Sequence, residues 1–190
     1  MSGEDDLKPW RLEGSRILRE DRWLKLRADR CVTQRGAVLD PFYVFEYSDW
    51  VHVVAIDDED KILFVRQYRH GFGGMSLELP GGIMDAHESD PLQTATRELL
   101  EETGYAARRF THLVALSPNP STHTNRIHLV LAEGAHFIQA PAPDATEDVR
   151  LERLTEQEAV ARAVRGDIVN SAHVGLLFIA LERRKSGTPA

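Results

Sequence analysis

Three glutamates, at positions 98, 101 and 102, are the residues of this chain whose spacing points most directly to chemistry. They lie in the run Arg97-Glu98-Leu99-Leu100-Glu101-Glu102-Thr103-Gly104, three and four residues apart, where helix side chains become neighbours. Like charges so placed repel by roughly 0.2–0.5 kcal/mol per pair, even in water. A hard divalent cation, which prefers oxygen ligands, removes that cost and turns the cluster into a site. Taken alone, paired glutamates on a helix read as a solvated face. Arg, three Glu and Gly at five fixed positions, however, would arise by chance only about 10⁻⁴ times in a chain this long.

Local chemistry marks the helix that must carry them. Asp90 suits the N-cap, Pro91 the first helical position, and Gln93 the third position of a capping box. Gly104 supplies the left-handed residue that ends the helix. Leu92, Ala95 and Leu99 form an apolar stripe beside the carboxylates, so the helix can dock on a sheet while its acidic face lines a cleft.

Around this helix the pattern is strands, helix, strands, helices, which predicts a mixed sheet between helical layers. Short alternating stretches in residues 10–47 predict a small N-terminal antiparallel sheet. Residues 51–56 and 61–68 predict a hairpin closed by Asp57-Asp58-Glu59-Asp60, and 76–79 a short strand leading into the acidic segment. Further strands are expected at 110–116 and 126–132, loops at 118–125 and 140–148, and helices from Thr155 to about Val164 and from Ser171 to about Arg184. The organisation expected is an N-terminal β subdomain over 1–47, a main domain over 48–184 and a flexible tail over 185–190.

The 190 residues, 42% of them apolar, suffice for a real core. A net charge of -7 argues against nucleic acid as a partner, since that grip rests on clustered Lys and Arg. Cys31 is the single cysteine and reads as a structural thiol, which excludes an intramolecular disulfide and a cysteine zinc cluster. No apolar run approaches the ~20 residues that span a bilayer, so no membrane partner and a cytoplasmic location are expected.

The segment resembles the box of the Nudix hydrolases, G-x5-E-x7-R-E-U-x-E-E-x-G-U with U a bulky apolar residue. Gly82, Glu88, Arg97, Glu98, Leu99, Glu101, Glu102, Gly104 and Tyr105 take those places. One departure is plain: eight residues, not seven, separate Glu88 from Arg97, and the resemblance then fixes no role for Glu88. The resemblance implies an α/β/α sandwich with a mixed sheet. It implies magnesium, with manganese as a substitute, as one to three ions held by Glu98, Glu101, Glu102 and the Gly81 carbonyl. Arg97 and Glu101 enter the catalytic set, Arg97 as an orienting salt-bridge partner.

Val65-Arg66-Gln67-Tyr68-Arg69 and Glu78-Leu79-Pro80-Gly81-Gly82 narrow the resemblance to the ADP-ribose and nucleoside diphosphate sugar pyrophosphatases. Arg69, at a strand end, can grip a phosphate in bidentate fashion, and Glu78 would face the cleft. In that branch a base comes from a late loop, which points to Glu147, with Asp144 and Asp148 as neighbours in the same acidic stretch. Trp50, like Trp10 and Trp23, offers either a stacking face for a nucleoside or a packing anchor. The reaction implied is hydrolysis of a P–O–P bond in a nucleoside diphosphate sugar by a homodimeric enzyme. The alternatives are a sensor that binds such a nucleotide without turnover, or a pyrophosphatase for coenzyme A or a dinucleoside polyphosphate.

Overall fold

The computed structural model describes residues 7–85, 87–143 and 148–187. Two compact units divide the chain, one bounded by Met1–Tyr47 with Ser117–Asn125, the other by Ser48–Leu116 with Arg126–Ala190.

The first unit is a three-stranded antiparallel sheet of β1 (Arg11–Glu20), β2 (Lys25–Val32) and β3 (Val38–Glu46), in that order. Every residue of β1 is exposed, including Leu12, Ile17 and Leu18. The loop expected at 118–125 is bonded to β3. Phe45 donates its N–H to Thr122 O at 2.8 Å, and Thr124 donates to Phe45 O at 3.1 Å. Backbone groups that two prolines and a run of small polar residues leave unpaired thus find partners on a strand.

The second unit holds β4 (Trp50–Asp57), β5 (Ile62–Arg69), β6 (Gly74–Glu78), β7 (Gly81–Ile83), β8 (Tyr105–Ala106), β9 (Arg109–Leu116), β10 (Ile127–Phe137) and β11 (Val149–Leu154). They make one mixed sheet of order β11-β5-β4-β10-β8, with β6 beside β5, β7 beside β4 and β9 beside β10. β4 and β10 run parallel, which joins two antiparallel halves. Alternation along β4 separates two apolar faces, as a pleated strand must. Val54 and Ile56 pack with Leu129, Leu176 and Leu177, while Val51, Val53 and Ala55 pack with Ala95, Leu99 and Val130. Helix α1 (Pro91–Thr103) therefore covers one face, and α2 (Glu156–Arg165) with α3 (Ser171–Ser186) covers the other. This is the expected α/β/α sandwich with its small N-terminal sheet.

The helix ends follow the local signals closely. Asp90 caps α1 by accepting from Leu92 N–H at 2.9 Å, and Pro91 opens the helix. Gln93 donates its backbone N–H to Asp90 O rather than to the Asp90 side chain, so a plain N-cap stands where a capping box was expected. Thr155 and Glu158 complete the capping box of α2. Asn170, rather than Ser171, caps α3, because its side chain reaches Ala172 N–H at 3.0 Å. That helix continues through Lys185 and Ser186, two residues into the stretch expected as a tail. There Lys185 pairs with Glu156 at 3.0 Å. In the β4–β5 hairpin, Asp57 Oδ1 accepts from Glu59 and Lys61 N–H at 2.9 Å each.

Gly104 sets where α1 stops. Its φ of 75° is left-handed, its carbonyl accepts from Ile138 N–H at 3.0 Å, and a Cβ there would lie 2.0 Å from Gln139 O. Gly166, at the end of α2, has a similar φ of 82° and open space around it. In urea titrations Gly166→Ala should cost about 1 kcal/mol, the backbone strain alone. Gly104→Ala should cost clearly more, and equal losses would show that the approach of Gln139 carries no weight.

Candidate active site

The acidic face of α1 borders the turn from β6 to β7. Glu102 is only 2% exposed and accepts the Gly81 N–H at 2.8 Å through Oε2. Glu98, 8% exposed, lies so close to Gly82 that a Cβ on that glycine would come within 2.2 Å of its Oε1. Two carboxylates one helical turn apart are thus brought against the backbone that also offers the Gly81 carbonyl. The structure thereby gathers three of the expected metal-binding groups, Glu98, Glu102 and Gly81. The fourth, Glu101, is more exposed and joins them through Arg97.

Arg97 is the hub. Its Nη1 bonds Glu98 Oε1 at 2.8 Å and Glu101 Oε2 at 3.1 Å, its Nε bonds Glu88 Oε1 at 3.2 Å, and its Nη2 reaches Ile83 O at 3.2 Å. Burial works against the guanidinium's charge, but these carboxylates outweigh it and hold Arg97 above its ordinary range. With all these donors engaged, Arg97 orients its neighbours. Glu88, left without a role by the longer loop, is brought into the cluster. Its Oε2 also accepts from Thr94 Oγ1 at 2.8 Å and Asp85 N–H at 2.9 Å. Arg97 and these donors pull the Glu88 carboxyl down to about 2.

A hard cation suits this donor set, which is all oxygen and crowded with negative charge. Among the described residues, no group of three or more His, Cys, Asp or Glu side chains is arranged to hold an ion. Arg97 instead binds two of the carboxylates, and Gly81 N–H binds a third.

Arg69 and Glu78, both expected to face substrate, are joined to each other. Arg69 Nε and Nη2 meet Glu78 Oε1 and Oε2 at 2.9 and 2.7 Å, a two-pronged pair. Burial alone would raise the Glu78 carboxyl, yet Arg69 reverses the sign and the net shift is downward. Arg66 pairs with Glu152 across β5 and β11. Trp50 packs against the core on the α2 and α3 side of the sheet. Glu147 and Asp144 lie outside the described residues. His173 and His52, both buried near this turn, escaped the reading of the sequence. A single histidine in an apolar helix stripe looks like core, and 94 residues separate it from its partner Leu79.

The NUDIX domain family matches residues 47–170, about two-thirds of the chain, including every carboxylate and arginine described above for this site. The chain is a Nudix hydrolase. A second match, the nucleoside diphosphate sugar hydrolase N-terminal domain, covers residues 10–45. An ADP-ribose pyrophosphatase of Mycobacterium tuberculosis is 37% identical over 156 residues, 81% of this chain and 75% of that protein. A CMP-5'-(N-acetyl-N-hydroxy-3-aminopropyl)phosphonate hydrolase of Streptomyces rubellomurinus is 31% identical over 174 residues, 90% of this chain and 82% of that one. The crystal structure of an ADP compounds hydrolase superposes with a TM-score of 0.82 at 22% identity, covering 97% of this chain and 98% of its own, and speaks to the fold. This Nudix hydrolase is accordingly a pyrophosphohydrolase built on that family's sandwich. No helix among its described residues is long and apolar enough to cross a membrane.

Because its carboxyl is lowered in the folded state, Glu88 adds stability that is fully present above the unfolded value near 4.5 and is lost as pH falls toward 2. Glu88→Gln should lower the unfolding free energy at pH 7 by about 1–3 kcal/mol, the range for a hydrogen bond to a charged group. Urea titrations at successively lower pH should show the two proteins converging between 4.5 and 2, and a constant gap would contradict the assignment.

Proposed function

We propose that this Nudix hydrolase cleaves the P–O–P bond of ADP-ribose or a related nucleoside diphosphate sugar with magnesium, releasing a nucleoside monophosphate and a sugar phosphate. The observation that carries the reading is the pair Glu98 and Glu102, nearly buried, one turn apart and pressed against Gly81 and Gly82. Carboxylates so placed are costly without a cation, and the resemblance in their spacing to the Nudix box says which chemistry benefits. Magnesium, or manganese in its place, would be held by Glu98, Glu102, Glu101 and the Gly81 carbonyl. When bound it neutralises a diphosphate and polarises the leaving oxygen.

The chain's own residues do the positioning. Arg97 keeps Glu98 and Glu101 turned toward one another, and Gly81 N–H fixes the Glu102 carboxylate. Glu147 is the candidate base for the attacking water, proposed from its place in the acidic loop after residue 140. Arg69 borders the turn paired with Glu78, and an anionic substrate would compete with that carboxylate for its guanidinium. The sugar-nucleotide class is supported by the N-terminal domain match and by the relative named an ADP-ribose pyrophosphatase. The relative named for a CMP-linked phosphonate makes the nucleoside itself a matter for experiment. The uncovered apolar residues of β1 favour a homodimer formed through the N-terminal sheet.

The test is a substrate panel with magnesium, spanning ADP-ribose, GDP-mannose, a CMP-linked conjugate, coenzyme A and a dinucleoside polyphosphate. Cleavage of a nucleotide sugar in preference to the last two is expected, and the reverse order would reject the branch. Glu102→Gln should keep the fold by circular dichroism and lose about 100-fold in turnover, roughly 3 kcal/mol of barrier. Unchanged turnover in that variant would remove the metal assignment. Light scattering should return twice the 21.4 kDa chain mass, and a monomer would dismiss the dimer.

A further inference from the structure

The apolar stripe of α3 is headed by a histidine. His173, Leu176, Leu177, Ala180 and Leu181 are the buried residues of that helix, spaced as one face against the sheet. Packing alone would favour another aliphatic residue at 173. The imidazole is 1% exposed, its Nδ1 accepts the Leu79 N–H at 3.0 Å, and its Nε2 has no hydrogen-bond partner among the described residues. Burial, with the Arg69 charge adding to it, pushes His173 down to about 3, so the ring is neutral and carries its proton on Nε2. A second buried ring, His52, stands 4.1 Å away between centroids. Its Nδ1 lies 2.8 Å from where a Cβ on Gly81 would be, so the ring walls the glycine directly.

These rings flank a four-residue turn whose backbone is tied to three different elements. Leu79 N–H goes to His173 on α3, Pro80 O accepts from Val53 N–H of β4 at 2.8 Å, and Gly81 N–H goes to Glu102 on α1 at 2.8 Å. Leu79 is itself 1% exposed, so water cannot readily replace the imidazole as its acceptor. Without that acceptor a buried N–H is orphaned, and the cheapest relief is for the turn to move. Any such movement displaces the Gly81 carbonyl and the Glu102 carboxylate together.

We infer that His173, backed by His52, is a positioning residue that locks the Glu78–Gly81 turn and thereby sets the geometry of the cation site on α1. This rests on the metal reading proposed above, and it acts as an outer group does on a ligand it does not replace.

The full chain tests it with three variants. His173→Phe keeps the ring and removes the acceptor, His173→Asn places an oxygen near the Nδ1 position, and His173→Gln places its polar atoms near the Nε2 position instead. Mn2+ binding followed by electron paramagnetic resonance should weaken about 10- to 100-fold in the Phe variant and recover most of that loss in the Asn variant. Exchange of the Leu79 amide proton, read by NMR, should accelerate in Phe and slow again in Asn. With ADP-ribose, kcat should fall while KM stays within about twofold, as expected of a misplaced ion rather than a lost substrate contact. If the Phe variant does not fold, Asn against Gln decides the matter, with Asn expected near wild type and Gln weak. Equal Mn2+ affinity in wild type and Phe, or in Asn and Gln, overturns the inference. Equal Mn2+ affinity in wild type and Glu102→Gln would instead overturn the metal reading, and the Leu79 exchange comparison would still judge whether His173 holds the turn.

Discussion

Crowded negative charge is the constraint around which this protein is organised. Glu88, Glu98, Glu101 and Glu102 gather about one guanidinium, Arg97, which touches three of them. The fourth, Glu102, leans on a backbone amide. Among the described residues four carboxylates thus surround one guanidinium, and burial sharpens their repulsion, since a low-dielectric surrounding strengthens repulsion as well as attraction. The helix carrying them cannot drift to relieve it. Asp90 and Gly104 fix its two ends, and Leu92, Ala95 and Leu99 seat it on the sheet. The scaffold holds charges where they would not choose to stand, which is how a binding site differs from an ordinary acidic surface.

Much of this was legible in the sequence because its signals are short-range. Asp90, Pro91 and Gly104 announce the limits of α1 by their own backbone chemistry, and the Thr155 to Glu158 box does the same for α2. Strand alternation in β4 and β5 separates the two faces of the sheet with no tertiary knowledge. Three features were not legible, each for its own reason. β11 reads as a charged stretch, Val-Arg-Leu-Glu-Arg-Leu, and is a strand through its ladder with β5, its charges being met by distant residues, Glu152 by Arg66 of β5 and Arg153 by Asp57 of β4 and Glu59. Arg69 and Glu78 look like two ligand-facing groups, since nothing local reveals that the Arg69 side chain reaches along the β5–β6 hairpin to Glu78, whose partner in register is Val65. His173 has no sequence signal at all, because its meaning lies in a backbone amide on another strand.

The N-terminal unit obeys a different economy. Its sheet carries ion pairs along β2, Arg27 with Asp29, and across to β3, Lys25 with Glu46, and leaves β1 uncovered. A three-stranded sheet with one bare strand is marginal by itself. The 117–125 segment, inserted between β9 and β10 in the order of the chain, adds backbone bonds to β3 within the same unit. A stretch that looks like an ornament of the larger sheet is structural mortar for the smaller one.

The loop before α1 is one residue longer than the family pattern, yet Glu88 still reaches Arg97. It does so because residues 85 and 88 close on each other, Glu88 N–H to Asp85 O and Asp85 N–H to the Glu88 carboxylate, both at 2.9 Å. The turn therefore behaves as a self-contained buckle, and the strap beyond it can lengthen without loosening the clasp. A consensus written as fixed intervals records the length of the strap, whereas selection on this geometry would act on the clasp. Relatives whose spacing differs here need not have lost the contact, and a strict spacing rule would pass over chains that retain the whole arrangement.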